Sequence, residues 1–283
     1  MKTSLFLMLA VVCAAQLVLS AAWADDLEGL KLPAYRNDDG YGLGVTEYSF
    51  ETNADLLEGE SPEHSIELSG LLQAPDKEDA LCFSSTLIVK SVEDARGRDI
   101  MRPQRKKRKD LKFNALIPSL EYKDRRGEPL QLCETELDAV ELNRPGSEVA
   151  EMVVVATTVV VKQRTTEEID AEVSDRYYDI GLGSSIQVSS MEIGKKSEMT
   201  VKLKIKHTGN KDIPVIDSVI ALDSRGKPLG GGRWTNELEL FAKSYDVELK
   251  FPLKGQDVAK FQVILATEYD IEQVELTIED LFQ

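Results

Sequence analysis

Apolar and polar residues alternate through much of this chain. In "MTVKLKIKH" (199–207), Val201, Leu203 and Ile205 fall on one side and the lysines on the other. That period of two predicts a half-buried strand. "MVVVATTVVVKQ" (152–163) is dense in valine and threonine, whose branched side chains suit a pleated surface, and "FQVILATEYDIEQVELTI" (261–278) continues in kind. "DVELKFPL" (246–253) alternates as well, with Pro252 marking an edge or a strand end. Apolar spacing of three and four is scarce. "TEEIDAEVSDRYYD" (166–179) is the main helical candidate, at the end of a first domain and into a linker.

The chain also echoes itself. "GYGLGVTEYSFET" (40–52) is followed later by "DIGLGSSIQVSSMEI" (179–193), and "LIVKSVEDARGRDI" (87–100) by "PVIDSVIALDSRGKPL" (214–229). A third pair, "AVELNRPGSEVAEMVVVATT" (139–158) and "DVELKFPLKGQDVAKFQVILATE" (246–268), shares Val-Glu-Leu, Gly-x-x-Val-Ala and a β-branched run. Three echoes in one order predict two copies of one domain. The organisation expected is residues 1–24 as a leader, 25–39 as a linker, 40–170 as one domain, 171–179 as a second linker and 180–283 as the other domain. Short strands with turn signals between them predict an all-β chain of two tandem immunoglobulin-like β-sandwich domains, each of about seven strands.

Asp-x-Arg-Gly occurs three times, in "EDARGRDI" (93–100), "KDRRGEPL" (123–130) and "LDSRGKPL" (222–229). Strand-like residues precede it and an apolar residue follows it. Aspartate bonds to the backbone ahead of it and glycine supplies positive φ, so the motif reads as a recurrent hairpin turn. On that reading Arg96, Arg126 and Arg225 are solvated turn residues.

Composition adds the compartment. The chain opens "MKTSLFLMLAVVCAAQLVLSAAWADD": a basic Lys2, an apolar run, and Ala22-Trp23-Ala24 before two acids. That is the anatomy of a secretory signal peptide cleaved after Ala24. The formal net charge is −16, and loss of Lys2 makes the mature chain about one unit more negative. So acidic a chain is a poor general binder of phosphate backbones or anionic lipid. Of three cysteines, Cys82 and Cys133 lie beyond the leader, and an oxidising compartment favours a bridge between them. No Asn-x-Ser/Thr sequon occurs.

Little in the chain points to chemistry. Only His64 and His207 could serve as imidazole bases, and no Gly-x-Ser-x-Gly elbow, zinc spacing or phosphate-binding loop appears. Both histidines read as surface residues. Asn37, Asp38 and Asp39 crowd together without the alternating oxygens of a calcium loop. The charge anomaly is "MRPQRKKRKD" (101–110), where Arg102, Arg105, Lys106, Lys107, Arg108 and Lys109 could contact a polyanion. Trp234, Tyr177 and Tyr178 are the aromatic residues that could stack on a sugar. The expectation is an exported, non-catalytic structural or interaction protein, periplasmic or extracellular. It needs no cofactor, and its partner is a protein or an envelope polymer rather than nucleic acid, with no stable membrane insertion after leader cleavage. The alternative is a carbohydrate-binding accessory protein.

Overall fold

The computed structural model describes residues 34–53, 62–75, 79–102, 112–123, 129–145, 148–194, 198–208, 213–235, 237, 239, 242–253 and 256–279. The leader, the third Asp-x-Arg-Gly turn with Arg126, and the basic residues Arg105, Lys106, Lys107, Arg108 and Lys109 lie outside them.

The described residues form strands and no helix. The N-terminal half contributes β1 (Ala34–Arg36), β2 (Gly42–Asn53), β3 (Glu63–Gln73), β4 (Ala80–Ser84), β5 (Thr86–Asp94), β6 (Phe113–Ala115), β7 (Ile117–Lys123), β8 (Pro129–Leu142) and β9 (Val149–Asp170). The C-terminal half contributes β10 (Tyr178–Asp179), β11 (Ser184–Ile193), β12 (Glu198–His207), β13 (Val215–Leu222), β14 (Pro228–Gly231), β15 (Arg233–Trp234), β16 (Ser244–Pro252) and β17 (Lys260–Glu279). One sheet runs β1-β2-β3-β8-β5-β9-β17-β13-β14, with β4 and β6 joined to β9 and β7 joined to β8. The other runs β10-β11-β12-β16-β15. Neighbours such as β3 and β8, β5 and β8, β9 and β17, and β12 and β16 are not consecutive in the chain, so both sheets contain crossovers, and β5 and β8 pair parallel. The all-β, layered character is as the alternation predicts.

The helix expected over 166–179 is absent. Residues up to Asp170 continue β9, and Ile169 is buried opposite Phe261 of β17. Alternation of Thr165, Glu167 and Ile169 with exposed residues, together with a long partner strand, overrides the weak helical propensity of "TEEIDAEV". The linker before residue 40 likewise includes strand β1, paired to β2.

β9 and β17 pair antiparallel from Lys260 with Asp170 to Glu279 with Glu151. A ladder of that length spans roughly 65 Å at the usual rise per residue. Two hydrophobic cores lie along it. The N-terminal core joins Leu43, Ile66, Leu68, Leu137 and Val140 to Met152 and Val154 of β9, and also to Val274, Leu276 and Ile278 of β17. The C-terminal core joins Ile186, Val201, Leu203, Val247 and Leu249 to Phe261, Val263 and Leu265 of β17, and also to Val159, Val161 and Ile169 of β9. Each lobe therefore contains the far end of the other lobe's last strand. The buried Tyr245 hydroxyl ties the two layers of the C-terminal lobe by donating to Pro214 O at 2.8 Å.

The two Asp-x-Arg-Gly segments within the described residues are the same turn. Asp94 Oδ1 accepts from the backbone N–H of Arg96 and Arg98, and Gly97 N–H donates to Asp94 O. Asp223 Oδ1 accepts from Arg225 and Lys227, and Gly226 N–H donates to Asp223 O. Gly97 and Gly226 have φ of 68° and 76°, which glycine adopts without Cβ strain. Arg96 and Arg225 are exposed.

The Gly-Leu-Gly echo, by contrast, does not join equivalent positions. Leu43 is fully buried in β2, whereas Leu182 sits in a turn at φ 52°. The positions that match are Gly40 and Gly183, both at positive φ and each five residues before a bulge that follows Val45 or Val188.

Candidate functional site: the cleft between the lobes

A cleft of about 570 Å³ opens between the lobes. One wall comes from β2, β3, β6, β8 and the β4–β5 junction, and the other from β15 and the residues after it. Local geometry explains the lining. The bulge after Val45 leaves Thr46 unpaired with β3, and it projects, exposed, at the rim. Gly70 lets β2 and β3 approach: a Cβ there would stand 2.8 Å from both Gly44 O and Leu43 Cδ1. Ser69, Gly70 and Leu71 are then in register with Glu136, Thr135 and Glu134 of β8.

Thr135 is buried, and its hydroxyl donates to Ser84 O and Ser85 O, each at 3.3 Å. Glu134 and Glu136 stand out on the opposite side of β8, exposed and without an ion-pair partner among the described residues. Ser85 is only 6% exposed; its backbone bonds to Lys112 and Glu136, but its hydroxyl has no hydrogen-bond partner among the described residues. It lines the cleft.

Across from these groups, Trp234 pairs with Leu249 of β16 and is 8% exposed at the cleft wall. Thr235 donates to Glu248 Oε1 at 3.0 Å; that bond, assisted by Lys202, holds the Glu248 carboxyl below its usual range. Lys112 Nζ lies 3.0 Å from Glu237 Oε2, so one ion pair links the two walls. The Glu237 carboxylate accepts that bond and raises the Lys112 pKa. Both partners are half exposed, so solvent screens the pair and it contributes little to stability.

The sequence-predicted residues scatter around this site. Trp234 reaches it, but Tyr177 and Tyr178 do not: β10 and β15 are opposite edges of their sheet. The Tyr177 ring carries the Lys206 ammonium 4.1 Å from its centroid, and the Tyr178 ring carries the Arg176 guanidinium at 4.7 Å. Those faces are occupied by the chain's own cations. Arg102 lies at the end of β8 away from Glu134, 3.7 Å from Glu63 and 3.9 Å from Glu141.

Cys82 and Cys133 are free thiols rather than the expected bridge. Cys82 packs into the C-terminal core and Cys133 into the N-terminal core. The Cys133 thiol donates to Asn114 O at 3.2 Å. Burial pushes the Cys82 thiol up, with nearby Cys133 adding to it, and pushes Cys133 up to about 12.

Each histidine makes a cross-strand hydrogen bond. His64 Nδ1 lies 3.0 Å from Thr52 Oγ1, and His207 Nδ1 lies 2.7 Å from Ser184 Oγ, a hydroxyl on a residue only 2% exposed. Asn37 closes the β1–β2 turn through Tyr41, and its side-chain amide donates to Glu275 O. Among the described residues no three His, Cys, Asp or Glu side chains group closely enough to hold a metal ion. Sequence reasoning passed over Ser85, Glu134, Glu136 and Glu237, because "QLCETEL" reads as an ordinary alternating strand with a solvated acidic face. No family model, no curated protein and no solved structure matches this chain.

Proposed function

We propose that this is an exported, non-catalytic interaction protein, built from two copies of one β-lobe and holding its partner in the cleft between them. The observation that carries the reading is the cleft itself. Both lobes form its walls, which are strands and the residues that join or follow them. A concave site of this size, with apolar and polar groups together on its walls, suits binding. Export rests on the leader-like residues 1–24.

Duplication is supported by the matching Asp-x-Arg-Gly turns, the matching bulges and the span of the β9–β17 ladder. Glu151 and Lys260 stand 109 positions apart, as do Asp170 and Glu279, the same offset that relates Val149-Ala150 to Val258-Ala259. The copies share their last strands, so they are not tandem beads. A second reading, carbohydrate binding, is favoured by Trp234 beside hydroxyl and carboxylate groups in one cleft.

The test is capture from an envelope or culture-medium fraction, comparing wild type with Thr46→Phe, which adds bulk at the rim. A species retained by wild type and lost with Thr46→Phe supports the cleft; identical captures refute it. A glycan array probed with the same two proteins examines the carbohydrate reading.

A further inference from the structure

The ribbon of β9 and β17 changes the core it serves at the waist between the lobes. Met152, Val154 and Ala156 of β9 belong to the N-terminal core, whereas Val159 and Val161 belong to the C-terminal core. Pairing with β17 is unbroken from Met152 to Val161, so the change of parity puts the two lobes on opposite faces of the ribbon. The angle at which they meet then depends on how the ribbon twists there. The backbone is irregular at that level. Leu81 of β4, Lys162 of β9, Asp217 of β13 and Thr267 of β17 all drop out of register, between the levels of Val159 and Thr166. Such bulges bend strands and alter their twist, so the ladders alone leave the angle loosely set.

One side chain spans this level. Arg164 follows the bulge in β9. Its Nη1 and Nη2 donate to the two oxygens of Asp79, at the start of β4, with Nη2 at 2.6 Å from Oδ1. Its Nε donates to Asp217, the residue out of register in β13. A single exposed ion pair contributes little, but a planar guanidinium held along two edges fixes the direction of two carboxylates at once. Those aspartates lead to opposite walls of the cleft. β4 carries β6, paired from Cys82 with Ala115 to Ser84 with Phe113, and β6 is part of the N-terminal wall. β13 carries β14 and, through the Gly232 N–H bonded to Val219 O at 2.7 Å, the start of β15 in the C-terminal wall. At the other end of β4, where Ser85 N–H donates to Lys112 O, the Lys112–Glu237 pair joins the same two walls.

Resting on the reading of the cleft as a binding site, we propose that Arg164 is a positioning residue, which sets the angle between the lobes through Asp79 and Asp217 and so holds the cleft at the width its partner needs. Release of Arg164 lets the walls part while each lobe keeps its core.

The test is zero-length cross-linking with a water-soluble carbodiimide, which joins an amine to a carboxylate where the two touch. In the mature protein it should join Lys112 to Glu237 across the cleft, and Lys90 to Glu275 within the N-terminal lobe, where Nζ lies 2.7 Å from Oε1. In Arg164→Gln the Lys112–Glu237 product, measured by mass spectrometry against the Lys90–Glu275 product, should fall to about half or less as open states come to rival the closed one. Lys162→Gln, which removes an ion pair to Asp270 inside the ribbon, should leave the ratio unchanged. Should Arg164→Gln fail to fold, Asp217→Asn, which keeps the Asp79 pair and frees β13 alone, carries the same expectation. A folded Arg164→Gln or Asp217→Asn with the wild-type ratio overturns the proposal. So does an equal fall in Lys162→Gln, or a wild type that yields no Lys112–Glu237 product. A lowered ratio, with identical captures by wild type and Thr46→Phe, leaves the tie standing and refutes the binding reading. An unchanged ratio, with capture lost in Thr46→Phe, refutes the tie and leaves the binding reading standing.

Discussion

Leu276 lies near the C-terminus yet is fully buried in the N-terminal core, between Val274 and Ile278 on the inward side of β17. Leu276→Ala removes a buried side chain from the core that it shares with Leu43, Ile66 and Leu137. A buried leucine cut to alanine costs about 2–5 kcal/mol, depending on how far the site collapses. Here collapse is restrained, because β17 is tied to β9 along the ladder, so about 3 kcal/mol or more is expected. That is a large fraction of a typical total stability of about 5–15 kcal/mol. The location of the effect is more telling than its size. Hydrogen exchange followed by mass spectrometry should show lost protection in β2, β3 and β8, all more than one hundred and thirty residues earlier in the chain. Ile169→Ala is the mirror experiment: Ile169 precedes the C-terminal half in sequence but belongs to its core, so β11, β12 and β16 should loosen. If Leu276→Ala loosened only β12, β13 and β16 and left β2 and β3 protected, the lobes would be independent beads and the shared ladder would be refuted.

Two further outcomes are expected. The Asp94 carboxyl is held down to about 2, chiefly by its hydrogen bond from the Arg98 side chain, helped by the backbone N–H groups of Arg98 and Arg96. Because the folded pKa lies below the unfolded value of about 3.9, its contribution is present above about pH 4 and is lost as pH falls toward 2. Thermal melts across that window should therefore show a smaller acid-induced decline in Asp94→Asn than in wild type; parallel curves would contradict the capped turn. Buried thiols with raised pKa values react slowly, so Cys82 and Cys133 should resist alkylation at pH 8 in the native protein and both react after unfolding without reductant. A Cys82–Cys133 peptide in a non-reducing digest would contradict the free-thiol state.

The local features were legible in the chain. Alternation placed Val201, Leu203 and Ile205 on a buried face, and all three are buried. Aspartate three residues before glycine marked hairpin turns, and both described examples make the same bonds. Where local signals were weak they misled: "TEEIDAEV" looked helical until Phe261 and its neighbours paired with it, and Gly-Leu-Gly aligned residues that occupy different places. The cleft left no local trace. Glu134 and Glu136 show the alternation of any solvated strand face, and nothing near them in sequence announces Trp234 or Glu237 about one hundred positions on.

By itself, then, the sequence determined the strand period, the turn chemistry, the acidity and the echo of one half in the other. Each depends on residues a few positions apart, or on composition. Tertiary structure decided how the halves meet: β9 with β17, the far end of each in the other lobe's core, and a cleft with walls from both. Those outcomes depend on pairing between strands about a hundred residues apart. Alternation specifies which face a strand buries but not which partner covers it, so only the assembled sheets select the partner and, with it, the site.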